Sequence, residues 1–193
     1  MTLVGFKRMT IGVFDKETGK LGKQIVVEGK QDEGATVSAE ISGLAKEATK
    51  VYGSNIAYYV SQKGTGDVSI DFGLLDLPEN ANDTILGYEV KNGISFVGEN
   101  TEPPYCVVLL ESEDLSGDTA MMAFFKGKFS QDGSTLNTTN NEAFEPEAET
   151  YTFTAVTSDA DGDSNGQVMG KYVGKEEKTI AALKALAFPT AGE

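Results

Sequence analysis

Between Val68 and Leu74 the chain alternates: Val68, Ile70, Phe72 and Leu74 are apolar, while Ser69, Asp71 and Gly73 between them are not. A period of two places the four apolar side chains on one face of a strand and leaves the other face to water. The same pattern recurs along most of the chain. Phe6–Phe14 alternates loosely, KETGK (Lys16–Lys20) reads as a turn, and Gln24–Glu28 follows as a second strand. Ala35, Val37, Ala39 and Ile41 face one way, with Thr36, Ser38, Glu40 and Ser42 opposite. Asn55–Gln62 sets Ile56, Tyr58 and Val60 against Ala57 and Tyr59. Thr119–Phe129 is a further strand, and Thr150–Val156 another with Tyr151, Phe153 and Ala155 inward. YCVVLL (Tyr105–Leu110) does not alternate, and an uninterrupted apolar run of strand length predicts a central strand covered on both faces. A chain of this kind is mainly β, a sandwich or barrel.

Two segments break the period. Asp76 and Glu79 have capping-box spacing with Pro78 in the first turn, which predicts a short flanking helix carrying Ala81, Ile85 and Tyr88 on one face. At the end, residues 175–188 repeat at helical spacing: Ile180, Leu183, Leu186 and Ala187 form one stripe, with Glu176 and Glu177 where the helix dipole favours negative charge. This C-terminal helix is expected to lie on the sheet. A hairpin at Lys91–Gly93 leads into Ile94–Val97, and Pro103 and Pro104 interrupt the chain. No composition shift divides residues 1–193, which read as a single domain.

One region does not close on itself. Strands at 35–42 and 55–62, joined by Gly43–Ser54, would form a two-stranded arm, and such a unit alone is marginal in water. Both of its faces carry apolar groups, including Tyr52, Tyr58 and Tyr59. It needs a neighbour, either its own chain or another copy.

Chemistry is scarce. The chain has no His, which removes Ser-His-acid and Cys-His nucleophilic sites and the commonest metal ligand. Its single Cys, Cys106, excludes an internal disulfide and sits within the apolar run, as a core residue would. Thirty acids offer many carboxylate pairs, but no motif frames one. GKYVGKEE (Gly170–Glu177) fails as a phosphate loop, because its glycines are too close and Glu176 replaces the hydroxyl residue. DADGDSNG (Asp159–Gly166) matches the first half of a calcium loop through Asp161, Asp163, Asn165 and Gly166. Tyr172 stands where the bidentate acid belongs, so an acidic turn is the plainer reading. No catalytic, metal or cofactor residues are predicted. No apolar stretch is long enough to cross a membrane, and MTLVGFKRMT lacks a secretory signal. The net charge of −14 is uneven, at −4 over residues 1–100 and −10 over residues 101–193. Such a chain repels phosphate backbones.

Five segments, in order, resemble one family: GFKRMTIGVFD (Gly5–Asp15), SGLAKEATKVYGSNIAYYVSQKGTGDV (Ser42–Val68), TEPPYCVVLLESEDL (Thr101–Leu115), FFKGKFS (Phe124–Ser130) and GKYVGKEEKTIAALKALAFP (Gly170–Pro189). At these spacings the chain is similar to the major tail protein of long-tailed, non-contractile phages of Gram-positive bacteria. The resemblance implies a β-sandwich with a flanking helix, six copies closed into a ring, and rings stacked into a hollow tail tube that delivers DNA. It implies a virion protein assembled in the host cytoplasm, with tape-measure, tail-terminator and distal tail proteins as partners. The extended arm, residues 29–66, would reach the adjacent ring through Leu44, Val51, Tyr52, Ile56, Tyr58 and Tyr59. DNA would pass without specific binding along a lumen lined by Asp67, Ser69 and Asp71. The acidic, turn-rich residues 130–166 match least and are expected to form a variable loop region. Three other readings compete: a secreted or surface β-sandwich that binds a ligand, a hydrolase using an acid pair, and the tube subunit of a contractile or secretion machine.

Overall fold

The computed structural model describes residues 2–138 and 145–189. Its described residues form β1 (Leu3–Phe14), β2 (Leu21–Val27), β3 (Ala35–Ser42), β4 (Thr49–Gly53), β5 (Ile56–Ser61), β6 (Ser69–Leu75), α1 (Glu79–Leu86), β7 (Glu89–Lys91), β8 (Ile94–Phe96), β9 (Cys106–Asp114), β10 (Thr119–Ser130), β11 (Glu149–Ala155), β12 (Met169–Gly174) and α2 (Glu177–Ala187). The protein is mainly β. Eight strands make one antiparallel sheet in the order β2-β1-β9-β10-β11-β6-β3, with β12 paired to β10 beside that path.

The long strand β10 organises the sheet. One edge pairs with β9; the other pairs with β12 over Thr119–Phe124 and with β11 over Gly127–Ser130. A register shift between Phe124 and Gly127 lets β10 change partners. Gly127 is required there, because a Cβ would stand 2.4 Å from the Phe153 ring and from the Thr154 carbonyl.

The sheet curls until its ends share one core. Ile25 and Val27 of β2 pack in the same cluster as Ile70 and Phe72 of β6, with Met9, Ile11, Phe124, Phe129 and Phe153. Phe6, Phe72, Phe129 and Phe153 form a chain of ring contacts with centroids 4.9–6.4 Å apart. The Thr36 hydroxyl donates to the Phe6 carbonyl at 2.7 Å, tying edge strand β3 back to β1. Helix α1 adds Ala81, Ile85 and Leu86 to this core.

The apolar run at Tyr105–Leu110 behaves as expected of a central strand. Cys106, Val108 and Leu110 enter the main core, while Val107 and Leu109 face a second cluster under α2. There Leu183 and Ala187 pack against Met121, Ala123 and Phe125, with Ile180 and Leu186 at the margin. Burial pushes the Cys106 thiol up to about 12, which keeps it protonated and inert. At the start of α2 the Glu176 N–H donates to the Tyr172 hydroxyl at 3.1 Å, satisfying one of the helix's orphan donors.

Several local expectations are corrected. The 35–42 strand is not a limb of the arm: β3 pairs with β6 from Ala35↔Leu75 to Ser42↔Ser69 and belongs to the main sheet. Val37 is an extra residue in that register, so it bulges and is half exposed although alternation would turn it inward. The capping box at Asp76 and Glu79 does not form. Pro78 is the N-cap, no side chain caps the helix, and Asp76 lies outside it in a left-handed turn (φ 51°). β12 has no clear alternation in the sequence, because two glycines dilute its pattern. Of the 130–166 region, residues 139–144 lie outside the described residues, and Glu149–Ala155 is strand β11.

Candidate assembly surfaces

The arm is built from β4 and β5 alone. Thr49↔Ser61 through Gly53↔Ile56 are paired, and Ser54 and Asn55 close the turn at φ 51° and 63°, as a two-residue type I′ connection requires. Tyr58 is an additional residue in the register, so the expected alternation of Ile56, Tyr58 and Val60 does not run through β5. The bulged Tyr58 is 81% exposed, the most open of the arm tyrosines. Leu44, Val51, Tyr52, Ile56 and Tyr59 are exposed as well. Among the described residues, β4 and β5 pack extensively only on each other.

A pinch fixes where the arm leaves the body. The Gly66 N–H donates to the Gly43 carbonyl at 2.9 Å, and the Lys46 N–H to the Gly64 carbonyl at 3.4 Å. Gly43 has φ 72°, and a Cβ there would stand 1.9 Å from the Asp67 carbonyl oxygen. Only glycine fits both restrictions. The rest of the predicted arm, residues 29–42, lies in the turn at Lys30–Gly34 and in β3.

Asp67, Ser69 and Asp71 stand together on the outward side of the Val68–Phe72 segment, opposite its buried residues. The Ser69 and Ser42 hydroxyls are 2.9 Å apart, and the Thr152 hydroxyl donates to Asp71 at 2.7 Å. Glu40 of β3 is directly across from Asp71. Two like charges at paired positions repel and cost stability in the isolated subunit. Lys128 of β10 extends this side, across from Thr154, and is bonded to Glu102 at 2.8 Å. The bond to Lys128 holds the Glu102 carboxyl below its usual range.

The acidic turn at Asp159–Gly166 is closed by its own backbone. The Gly166 N–H donates to the Ser158 carbonyl at 2.9 Å and the Asn165 side chain to the Ala160 carbonyl at 3.1 Å. Lys126 engages Asp159 at 2.6 and 2.7 Å, and Asp161 and Asp163 are exposed. Among the described residues no three His, Cys, Asp or Glu side chains converge as a metal site would, and no helix is long and apolar enough to cross a membrane.

These surfaces give a body closed around its core, a protruding apolar hairpin and a polar sheet face. Residues 1–182 match a family model described as phage tail tube protein. The chain belongs to the phage tail tube protein family. Membership makes it a structural protein of the virion tail that assembles with its own copies into a tube, and it implies a non-enzymatic role. Comparison with curated proteins gave no match. In this tail tube protein the arm's apolar residues are legible in the sequence but β4 is not, because its TKVYG segment reads as connection. A Ser-Asn pair between two apolar stretches was the available signal for the turn.

Proposed function

We propose that six copies close into a ring, that rings stack into the tail tube, and that phage DNA passes through it to the host. The observation that carries this reading is an apolar two-stranded arm without extensive packing on its own body, in a chain whose family builds tubes. Each exposed aliphatic side chain of the arm returns about 1.5–3 kcal/mol when fully covered. A neighbouring ring supplies that cover. The free edge of β3 offers unpaired backbone groups to the next copy in the ring, and closure of the ring removes the edge.

In such a ring the face carrying Asp67, Ser69 and Asp71, with Glu40, lines the lumen. Repulsion between these carboxylates and phosphate keeps DNA mobile, and the net charge of −14 has the same sign. A tape-measure protein sets the stack's length, tail-terminator and distal tail proteins close its ends, and assembly takes place in the host cytoplasm. Negative-stain microscopy of the purified protein at rising concentration tests this reading. Six-fold rings and stacked tubes are expected; a monomer at every concentration contradicts it.

A further inference from the structure

Beyond the arm, exposed apolar side chains gather on a second protruding element, the β7–β8 hairpin. Val90, Ile94, Phe96 and Val97 are 49–67% exposed. Asn92 and Gly93 turn the hairpin at φ 54° and 77°, and the Ser95 hydroxyl bonds the buried Asp83 of α1. The hairpin is therefore held at a fixed place beside the helix. The segment that carries it is acidic: residues 79–102 hold five acids and one Lys, a net of −4, and Lys23 of β2 is the further cation beside it, while Glu102 is bonded to Lys128.

The arm has the opposite charge. Residues 43–66 contain Lys46, Lys50 and Lys63 against Glu47, a net of +2, which leaves −16 for the rest of the chain. A basic arm is repelled least, and held best, by an acidic apolar seat.

Topology attaches the two features at opposite ends of β6. The arm joins the sheet where Ser42 pairs with Ser69, and α1 and β7–β8 follow β6 from its Leu75 end. The strand between these points spans roughly 20 Å, and the limb from Gly43 to Ser54 reaches roughly 35–40 Å when extended. Two different, complementary surfaces at opposite ends make a head-to-tail contact, which propagates instead of stopping at a pair.

We propose that the β7–β8 face seats the arm of the next copy of this chain in the stack. The arm tyrosines cover Ile94 and Phe96, and Lys46 and Lys50 meet Glu89 and Glu99. This inference rests on the stacked-tube reading and assigns the surface that the arm meets.

The test mixes Ala57→Cys and Val97→Cys copies, polymerises them under reducing conditions, and then oxidises the tubes. The buried Cys106 does not compete. A disulfide joining position 57 of one copy to position 97 of another is expected, and neither variant alone gives it. Tubes that form without this link, or that link only position 57 to position 57, overturn the seat and leave the stacked tube standing. Failure of the unaltered chain to polymerise overturns both. Independently, Lys46→Glu with Lys50→Glu should lower tube yield at least about tenfold, and adding Glu89→Lys with Glu99→Lys should restore it. Unchanged yield in the first variant, or no recovery in the second, counts against the seat.

Discussion

The body and the arm use similar apolar side chains and leave them in opposite states. Phe72, Phe129, Phe153 and Tyr151 are 0–2% exposed, whereas Tyr52, Tyr58 and Tyr59 are 58–81% exposed. The body escapes exposure by length: eight strands can curl until β2 and β6 share a core. Two strands cannot enclose anything. The difference teaches that apolar residues on a strand demand burial without saying which chain supplies it. In the body the supplier is local; among the described residues the arm packs extensively only on itself, and the proposed supplier is another copy.

Matched truncations in body and arm should have the largest and most different effects. Phe129→Ala, in the ring chain of the core, should cost about 3–5 kcal/mol and lower the melting temperature by roughly 10 °C. Tyr58→Ala should leave monomer stability within about 0.5 kcal/mol and raise the concentration needed for tubes about tenfold. Equal melting shifts for the two variants would remove the distinction.

Gly43→Ala strikes the junction between the regions. A Cβ 1.9 Å from the Asp67 carbonyl, at positive φ, forces the pinch apart. A loss of about 1–3 kcal/mol is expected, with faster proteolysis at residues 43–66 and fewer tubes. Proteolysis as slow as in the unaltered chain would show that the pinch does not hold the arm.

Acid should act on the body. Four of its carboxyls are held below their ordinary range: Asp15 by the Thr18 N–H and hydroxyl, Glu28 by Lys30, Glu102 by Lys128 and Asp159 by Lys126. A depressed folded pKa stabilises above the unfolded value and stops doing so as pH falls through the folded one. Stability is therefore flat near neutrality and declines below about pH 4, where unperturbed carboxyls titrate. Urea midpoints at pH 7 and pH 3 check this; equal midpoints would contradict it. Three of the four are exposed and Glu28 is half-buried, so the decline should be gradual.

The smallest effect is a gain. Glu40→Gln relieves the repulsion across from Asp71 and should stabilise the monomer by roughly 0.5 kcal/mol. A destabilised variant would mean that the face is not under electrostatic load.

Much of this division was legible in the sequence. Val68–Leu74 and Tyr151–Ala155 are buried as their period predicts, and the stripe at Leu183 and Ala187 lies on the sheet. What escaped has physical causes. A bulge is one added residue without a local signature, so Val37 and Tyr58 broke alternation unannounced. Partner choice is non-local: β3 could pair with β5 or β6 by pattern alone, and Thr36, reaching the Phe6 carbonyl, belongs to the arrangement that formed. Asp76 and Glu79 have the spacing of a cap, yet Pro78 took that position with its fixed φ. The arm residues were readable as apolar and the 67–71 face as polar, because both properties are carried by side chains alone.

If the arm serves assembly and not the fold of its own subunit, its removal should spare the body. Replacing residues 44–65 by two glycines removes the arm and keeps the contact between Gly43 and Gly66, and electron microscopy with parallel thermal melting reads the result. The armless variant should melt within a few degrees of the full chain and make no tubes where the full chain does. Normal tubes from the armless variant would contradict the arm's role in assembly.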